Sequence, residues 1–160
     1  MPVKQVELKY IKHRLSGFTL LEVMVALVIF SIGLLGLAGL QTQSLRYNHS
    51  AYLQTQATFL AYDILDRMRA NKATAEAGGY NAGFSTSGTN HNCNDSSVSC
   101  GTTEMAQFDI YEWKQLLSSN RLPGATGSVG QSGDTFTVTI KWDDPGTPDD
   151  ESEIQIQTEL

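Results

Sequence analysis

Glu22 is the one charged side chain between positions 18 and 40, where Thr19 and Ser31 are the only other polar side chains. A carboxylate inside a membrane-spanning segment costs roughly 3 kcal/mol on insertion scales. Such a group calls for a partner or a task. Just before it, Lys12-His13-Arg14-Leu15-Ser16-Gly17 is basic and ends on a glycine, and the apolar run opens at Phe18. Two thiols, Cys93 and Cys100, stand with six residues between them among Asn, Asp and Ser. In an exported body a disulfide is their simplest chemistry. It would close a small loop and contribute roughly 2–3 kcal/mol. Zinc held by His91, Cys93 and Cys100 is the other option, without an evident fourth ligand. His13, His49 and His91 are far apart in sequence and have no evident catalytic companions. No nucleophile elbow, phosphate loop or metal-ligand spacing appears, so the chain does not read as an enzyme and no cofactor or metal is expected. Asp143, Asp144, Asp149, Asp150, Glu151 and Glu153 crowd one short stretch. They lack the spacing of a calcium loop and read as a solvated hairpin turn carrying Pro145 and Pro148.

The element that must position Glu22 is a membrane helix. Residues 18–40 make about 35 Å of helix, enough to cross a hydrocarbon core of about 30 Å. Positive charge precedes the run and little follows it, so the N-terminus is expected in the cytoplasm and the body outside. A secretory signal would use the small residues of Gly36-Leu37-Ala38, but the run is much longer than an ordinary signal core. A plain one-pass anchor explains the length and leaves Glu22 without a reason. Gly33, Gly36 and Gly39 recur every third residue. They fit either close helix packing through small residues or a weakened stretch of helix, since each glycine costs roughly 1 kcal/mol against alanine.

The helix is expected to continue to residue 76. Residues 41–76 hold no Pro and no Gly, and Leu53, Ala57, Leu60, Ala61, Ile64, Leu65 and Met68 recur at helical steps. Asp63 and Arg67 lie on the other side at the favourable i,i+4 spacing, and Gly78-Gly79 ends the helix. Residues 77–103 read as a polar loop with Tyr80 and Phe84 as its large apolar groups. Asn48-His49-Ser50 and Asn94-Asp95-Ser96 match the glycosylation sequon, a pattern frequent by chance. A second helix is expected over 104–119, with Met105, Phe108, Tyr111 or Glu112, and Leu116 along one side, flanked by Trp113 and Leu117. Residues 120–130 read as a Gly-rich connector. From Asp134 to Trp142 the chain alternates, with Phe136, Val138, Ile140 and Trp142 on one face. Ile154 and Ile156, with Thr158, mark a second strand. A third comes from 80–90 or from 126–131, which the pattern does not decide. The fold class is α+β, a long N-terminal helix on a small antiparallel sheet.

Charge excludes one class of partner. The chain of 160 residues has a formal net charge of −6. Lys4, Lys9, Lys12 and Arg14 all precede position 18, against Glu7 alone. The remainder holds seven basic and sixteen acidic residues, a balance of −9. A body of that sign does not bind nucleic acid through a basic surface.

Gly17-Phe18-Thr19-Leu20-Leu21-Glu22 resembles the class III signal of type IV prepilins and the related type II secretion pseudopilins. The resemblance implies cleavage by prepilin peptidase between Gly17 and Phe18, N-methylation of Phe18, and Glu22 as the fifth mature residue. It implies that Glu22 meets the N-terminal amine of a neighbouring subunit during assembly. Gly17 has no side chain, so the scissile backbone can enter a narrow protease site. Ser31-Ile32-Gly33-Leu34-Leu35-Gly36-Leu37-Ala38-Gly39-Leu40-Gln41 and Ala61-Tyr62-Asp63-Ile64-Leu65-Asp66-Arg67-Met68-Arg69-Ala70-Asn71 are similar to PilV-type minor pilins of type IV pili. So is Trp113…Leu117…Leu122-Pro123-Gly124. Many pilins carry a proline near the place of Gly39, and this chain does not. The implied organisation is a cytoplasmic leader, 1–17, removed; an assembly helix, 18–40; its amphipathic continuation, 41–76; and an extracytoplasmic body, 77–160. The implied partners are major and minor pilins, prepilin peptidase and the inner-membrane pilus assembly machinery. The implied location is the bacterial inner membrane with the body in the periplasm, and outside the cell once in the pilus. An I-type pseudopilin and a membrane-tethered adhesin are the alternatives.

Overall fold

The computed structural model describes residues 17–119, 122–145, 147 and 150–160. The expected leader up to Ser16, with its four cations and His13, lies outside them, as do Asn120, Pro148 and Asp149 of the expected connector and turn. The chain divides after Thr42 into two compact units. Helix α1, Leu20–Ala70, runs through both. In the first unit every described residue is exposed.

The second unit holds the core. It contains the last part of α1, then α2 (Lys72–Glu76), α3 (Thr102–Ser118), and strands β1 (Thr126–Ser132), β2 (Thr135–Asp143) and β3 (Glu151–Thr158). The sheet is antiparallel, in the order β1-β2-β3. The architecture is the α+β one expected, a long N-terminal helix packed on a small antiparallel sheet. Leu53, Ala57, Ala61, Ile64, Leu65 and Met68 of α1 are all buried, with Leu60 partly so. They share one cluster with Phe136, Val138, Ile140 and Trp142 of β2. The helical period and the strand period thus select the two faces that meet.

Several expectations need correction. The helix does not run unbroken to 76. It stops at Ala70 and restarts at Lys72. Asn71 sits at φ −125°, ψ 45°, and its amide donates to the Thr102 carbonyl at 2.7 Å. A side chain that bonds to distant backbone competes with the helical ladder. Gly78 then turns the chain at φ +84°, a conformation glycine adopts without strain.

The inner face of α3 is not the one expected. Ala106, Ile110, Trp113 and Leu117 enter the core, while Leu116 is 37 % exposed. Phe108 is buried outside that cluster. Trp113 decides the rotation. Its ring is fully buried, and its indole N–H donates to the Leu60 carbonyl of α1 at 2.8 Å. Both α3 stripes have helical spacing, and the larger ring gains more from burial.

The connector also conceals a strand. Thr126–Ser132 pairs with β2 along its length, and of the two candidate segments this is the one that forms the third strand. The other contributes a single bridge, Ala82 to Val129. Gly127 is required where it stands, because a Cβ there would lie 2.5 Å from the Trp113 ring. Lys114 ties the preceding loop down. Its ammonium donates to the carbonyls of Gly83 at 2.8 Å, Phe84 at 3.1 Å and Gly127. Burial lowers its pKa. Finally, the acidic turn is not wholly solvated. Asp144 is fully buried and accepts from Ser50 Oγ at 2.5 Å and Ser152 Oγ at 3.3 Å.

Candidate functional site

The sequence places its chemistry at the start of α1. Thr19 begins the helix. Its hydroxyl accepts from the Glu22 N–H at 3.3 Å, and its carbonyl accepts from Glu22 N at 3.1 Å and Val23 N at 3.3 Å. Thr19-Leu20-Leu21-Glu22 has the spacing of a capping box, threonine at the N-cap and a glutamate three residues later. Thr19 is therefore the residue that sequence reasoning passed over. The signal for it was present in the Thr-x-x-Glu pattern. A carboxylate in the first turn also faces the positive end of the helix dipole. Glu22 thus has a local role at the helix start as well as any role between subunits.

Phe18, Glu22, Val23, Ala26, Leu27 and Phe30 line one open hollow along the helix. Glu22 is its only ionisable side chain. Phe18 is 84 % exposed, and a Cβ on Gly17 would meet nothing within 4 Å. Among the described residues nothing covers the backbone at Gly17 and Phe18. Leu21, Met24, Val25, Val28 and Ile29 line a second hollow, so the helix is apolar on more than one side. It is long and apolar enough to cross a membrane. Ser31 Oγ donates to the Leu27 carbonyl at 2.7 Å and Thr42 Oγ1 to the Ala38 carbonyl at 3.1 Å. Both hydroxyls are satisfied within the helix, which hydrocarbon requires. Gly33, Gly36 and Gly39 lie in continuous helix, with nothing within 4 Å of a Cβ at any of them.

The body holds a polar cluster that the sequence did not announce. Asp63 and Arg67 do pair, at 3.0 Å. The same guanidinium also reaches Asp109 at 3.2 Å and Glu112 at 2.7 Å on α3. Tyr80 Oη donates to Asp109 Oδ2 at 2.5 Å. Burial, then the bond to Asp109, raises the Tyr80 pKa. Burial opposes the charge on Arg67, but the Glu112 bond and the Asp63 and Asp109 carboxylates outweigh it and raise its pKa. Arg67 thus joins α1 to α3, and Tyr80 ties the loop to the same carboxylate. Removing a half-buried cation strands carboxylates behind it. Arg67→Met should cost about 1–3 kcal/mol of stability, discounted for the cluster's partial exposure. Asp63→Asn, at a 39 % exposed side chain, should cost under about 1 kcal/mol. Thermal unfolding in detergent checks both, and equal losses would contradict this account of the cluster.

Cys93 and Cys100 are joined in a disulfide, with Cα atoms 5.7 Å apart. The zinc reading is thereby set aside, since sulfurs bonded to each other are not thiolate ligands. Among the described residues no group of three or more His, Cys, Asp or Glu side chains could hold a metal ion.

The model of the prokaryotic N-terminal methylation motif matches residues 12–38. The model of type IV pilin Tt1218 matches residues 39–111. No curated protein and no solved structure matches the chain. The first match covers the charged junction, Glu22, Gly33 and Gly36, and the second begins at Gly39 and reaches into α3. Residues 12–111 therefore carry, in order, the N-terminal methylation motif of type IV prepilins and a type IV pilin domain.

Proposed function

We propose that this chain is a minor pilin of the PilV type, a low-abundance subunit that helps initiate a type IV pilus or sits near its tip. The leader, 1–17, is removed by prepilin peptidase between Gly17 and Phe18, and Phe18 is then N-methylated. Residues 18–40 hold the subunit in the inner membrane and later pack among other pilins. Residues 41–76 continue that helix, apart from the break at Asn71, and 77–160 form the periplasmic body, carried outside the cell when the subunit enters the filament. Glu22 pairs with the amine of a neighbouring subunit. Its partners are major and minor pilins, prepilin peptidase and the inner-membrane assembly machinery.

One observation supports this reading above the others. A single carboxylate, on a residue whose backbone N–H is capped by Thr19, lies in an otherwise apolar hollow beside Phe18 at the head of a helix that can cross a membrane. A charge in that setting is favoured when an opposite charge meets it there and penalised when left alone. The free α-amine of a cleaved subunit, with a reference pKa near 8, supplies such a charge.

Deleting the gene in its host tests the assignment. Surface pili should fall steeply in number, and the chain should appear in sheared filaments far below the major pilin. Unchanged piliation with lost protein secretion would assign the subunit to a type II secretion system instead. Normal piliation with lost adhesion would make it an adhesin.

A further inference from the structure

The sheet treats its two edges differently. On β1, Val129 exchanges both backbone bonds with Ala82, at 2.9 and 2.8 Å, so a segment of the same chain covers that edge at its middle. On the other side, β3 pairs with β2 alone among the described residues. Its eight residues, Glu151–Thr158, contain no proline and no glycine. An edge of that length presents a row of backbone donors and acceptors to any extended chain.

The side chains along β3 define what would fit. Ser152, Ile154, Ile156 and Thr158 are half-buried, and Ile154 and Ile156 pack against the core from its rim. Glu151, Glu153, Gln155 and Gln157 are exposed on the opposite face. Lys141 of β2 lies 3.5 Å from both Glu151 and Glu153. One ammonium thus serves two carboxylates, and a net negative charge is left on that face of the strand.

We infer that the open edge of β3 accepts an extended strand from a different polypeptide. That strand carries Lys or Arg on the face of Glu151 and Glu153, and apolar β-branched side chains on the face of Ile154 and Ile156. Backbone bonds supply the attachment, and the alternating side chains supply the selectivity. A second copy of this chain fits poorly. In the antiparallel self-pairing centred on Ile154, Glu153 lies diagonally across from its own copy. Centred on Gln155, Glu151 lies directly opposite Glu159. Like charges so placed are destabilising. Pairing β3 with the β1 edge of a second copy meets the bridge already formed by Ala82.

The inference concerns an edge of the body and does not depend on cleavage at Gly17 or on Glu22. Hydrogen exchange of the β3 amides tests it, on the full chain in detergent micelles. The probes are a strand-length synthetic peptide alternating valine with lysine and its counterpart alternating valine with glutamate. The lysine peptide should slow exchange across Glu151–Thr158 about tenfold and the glutamate peptide should not. Glu153→Lys should reverse that preference. Unchanged exchange with the lysine peptide, or equal slowing by both peptides, would overturn the inference. Slowing that grows with the concentration of the chain alone would also overturn it, because the occupant would then be a second copy.

Discussion

Glu22→Ala should leave the leader processed and the body folded, and should nearly abolish incorporation into filaments. Leaving one partner of a buried ion pair unmatched costs about 3–5 kcal/mol. Each 1.4 kcal/mol is about a factor of ten in an equilibrium, so the incorporated fraction should fall by about a hundredfold or more. The capping geometry supplies a needed control. Glu22 also stands in the first turn of α1, where the side chain of a capping-box glutamate steadies the helix start, and its loss could act by fraying that turn. Glutamine at that position in a capping box does the same local work as glutamate. Glu22→Gln therefore keeps a capping-box side chain and removes the charge. It should fail in assembly as alanine does, if pairing is the task. Quantifying each variant in sheared filaments against its level in membranes separates the two roles. Normal incorporation of Glu22→Gln would contradict the pairing role, and a defect in Glu22→Ala alone would assign the residue to the helix start.

Trp113→Ala should be the most destabilising single change in the body, costing about 3–5 kcal/mol. The ring is fully buried and touches three elements at once. It lies on α3, bonds to the Leu60 carbonyl of α1, and occupies the space over Gly127 of β1. Alanine would leave a cavity and remove that hydrogen bond. Trp113→Phe keeps most of the volume and should lose about 1–2 kcal/mol, chiefly the bond to Leu60. Gly127→Val approaches the same contact from the strand, where an added Cβ meets the ring at 2.5 Å, and should cost about 1–3 kcal/mol through overpacking. Chemical denaturation in detergent measures all three. Trp113→Ala with unaltered stability would mean that α1, α3 and the sheet are not joined through this ring.

How much of this was legible depends on how local each determinant is. The inner faces of α1 and β2 were readable because each is written in a short period of one chain segment, from Leu53 to Met68 and from Phe136 to Trp142. The methylation motif at the head of α1 was readable because its basic residues, glycine, apolar run and carboxylate are neighbours in sequence. The disulfide was readable from two cysteines close in sequence among small polar residues. The face of α3 was not, because Met105, Phe108 and Leu116 compete at helical spacing with Ala106, Ile110, Trp113 and Leu117. Only the partner helix and Gly127 decide between them. Strand β1 was hidden for a related reason. Its glycines at 127 and 130 erase the alternation that marks a strand, and Gly127 is there to make room for a ring fourteen positions away. Arg67 looked like half of a surface pair, since Asp109, Glu112 and Tyr80 reach it only once the chain has folded. Asp144 looked solvated for the same reason, because its hydroxyl partner Ser50 is distant in sequence.

The most direct test of the central claim is the mature N-terminus, read by mass spectrometry on the chain recovered from its own membranes. The expected N-terminal peptide begins at Phe18 and carries one added methyl group on the α-amine. A chain beginning at Gly39, or one retaining the leader, would contradict the account.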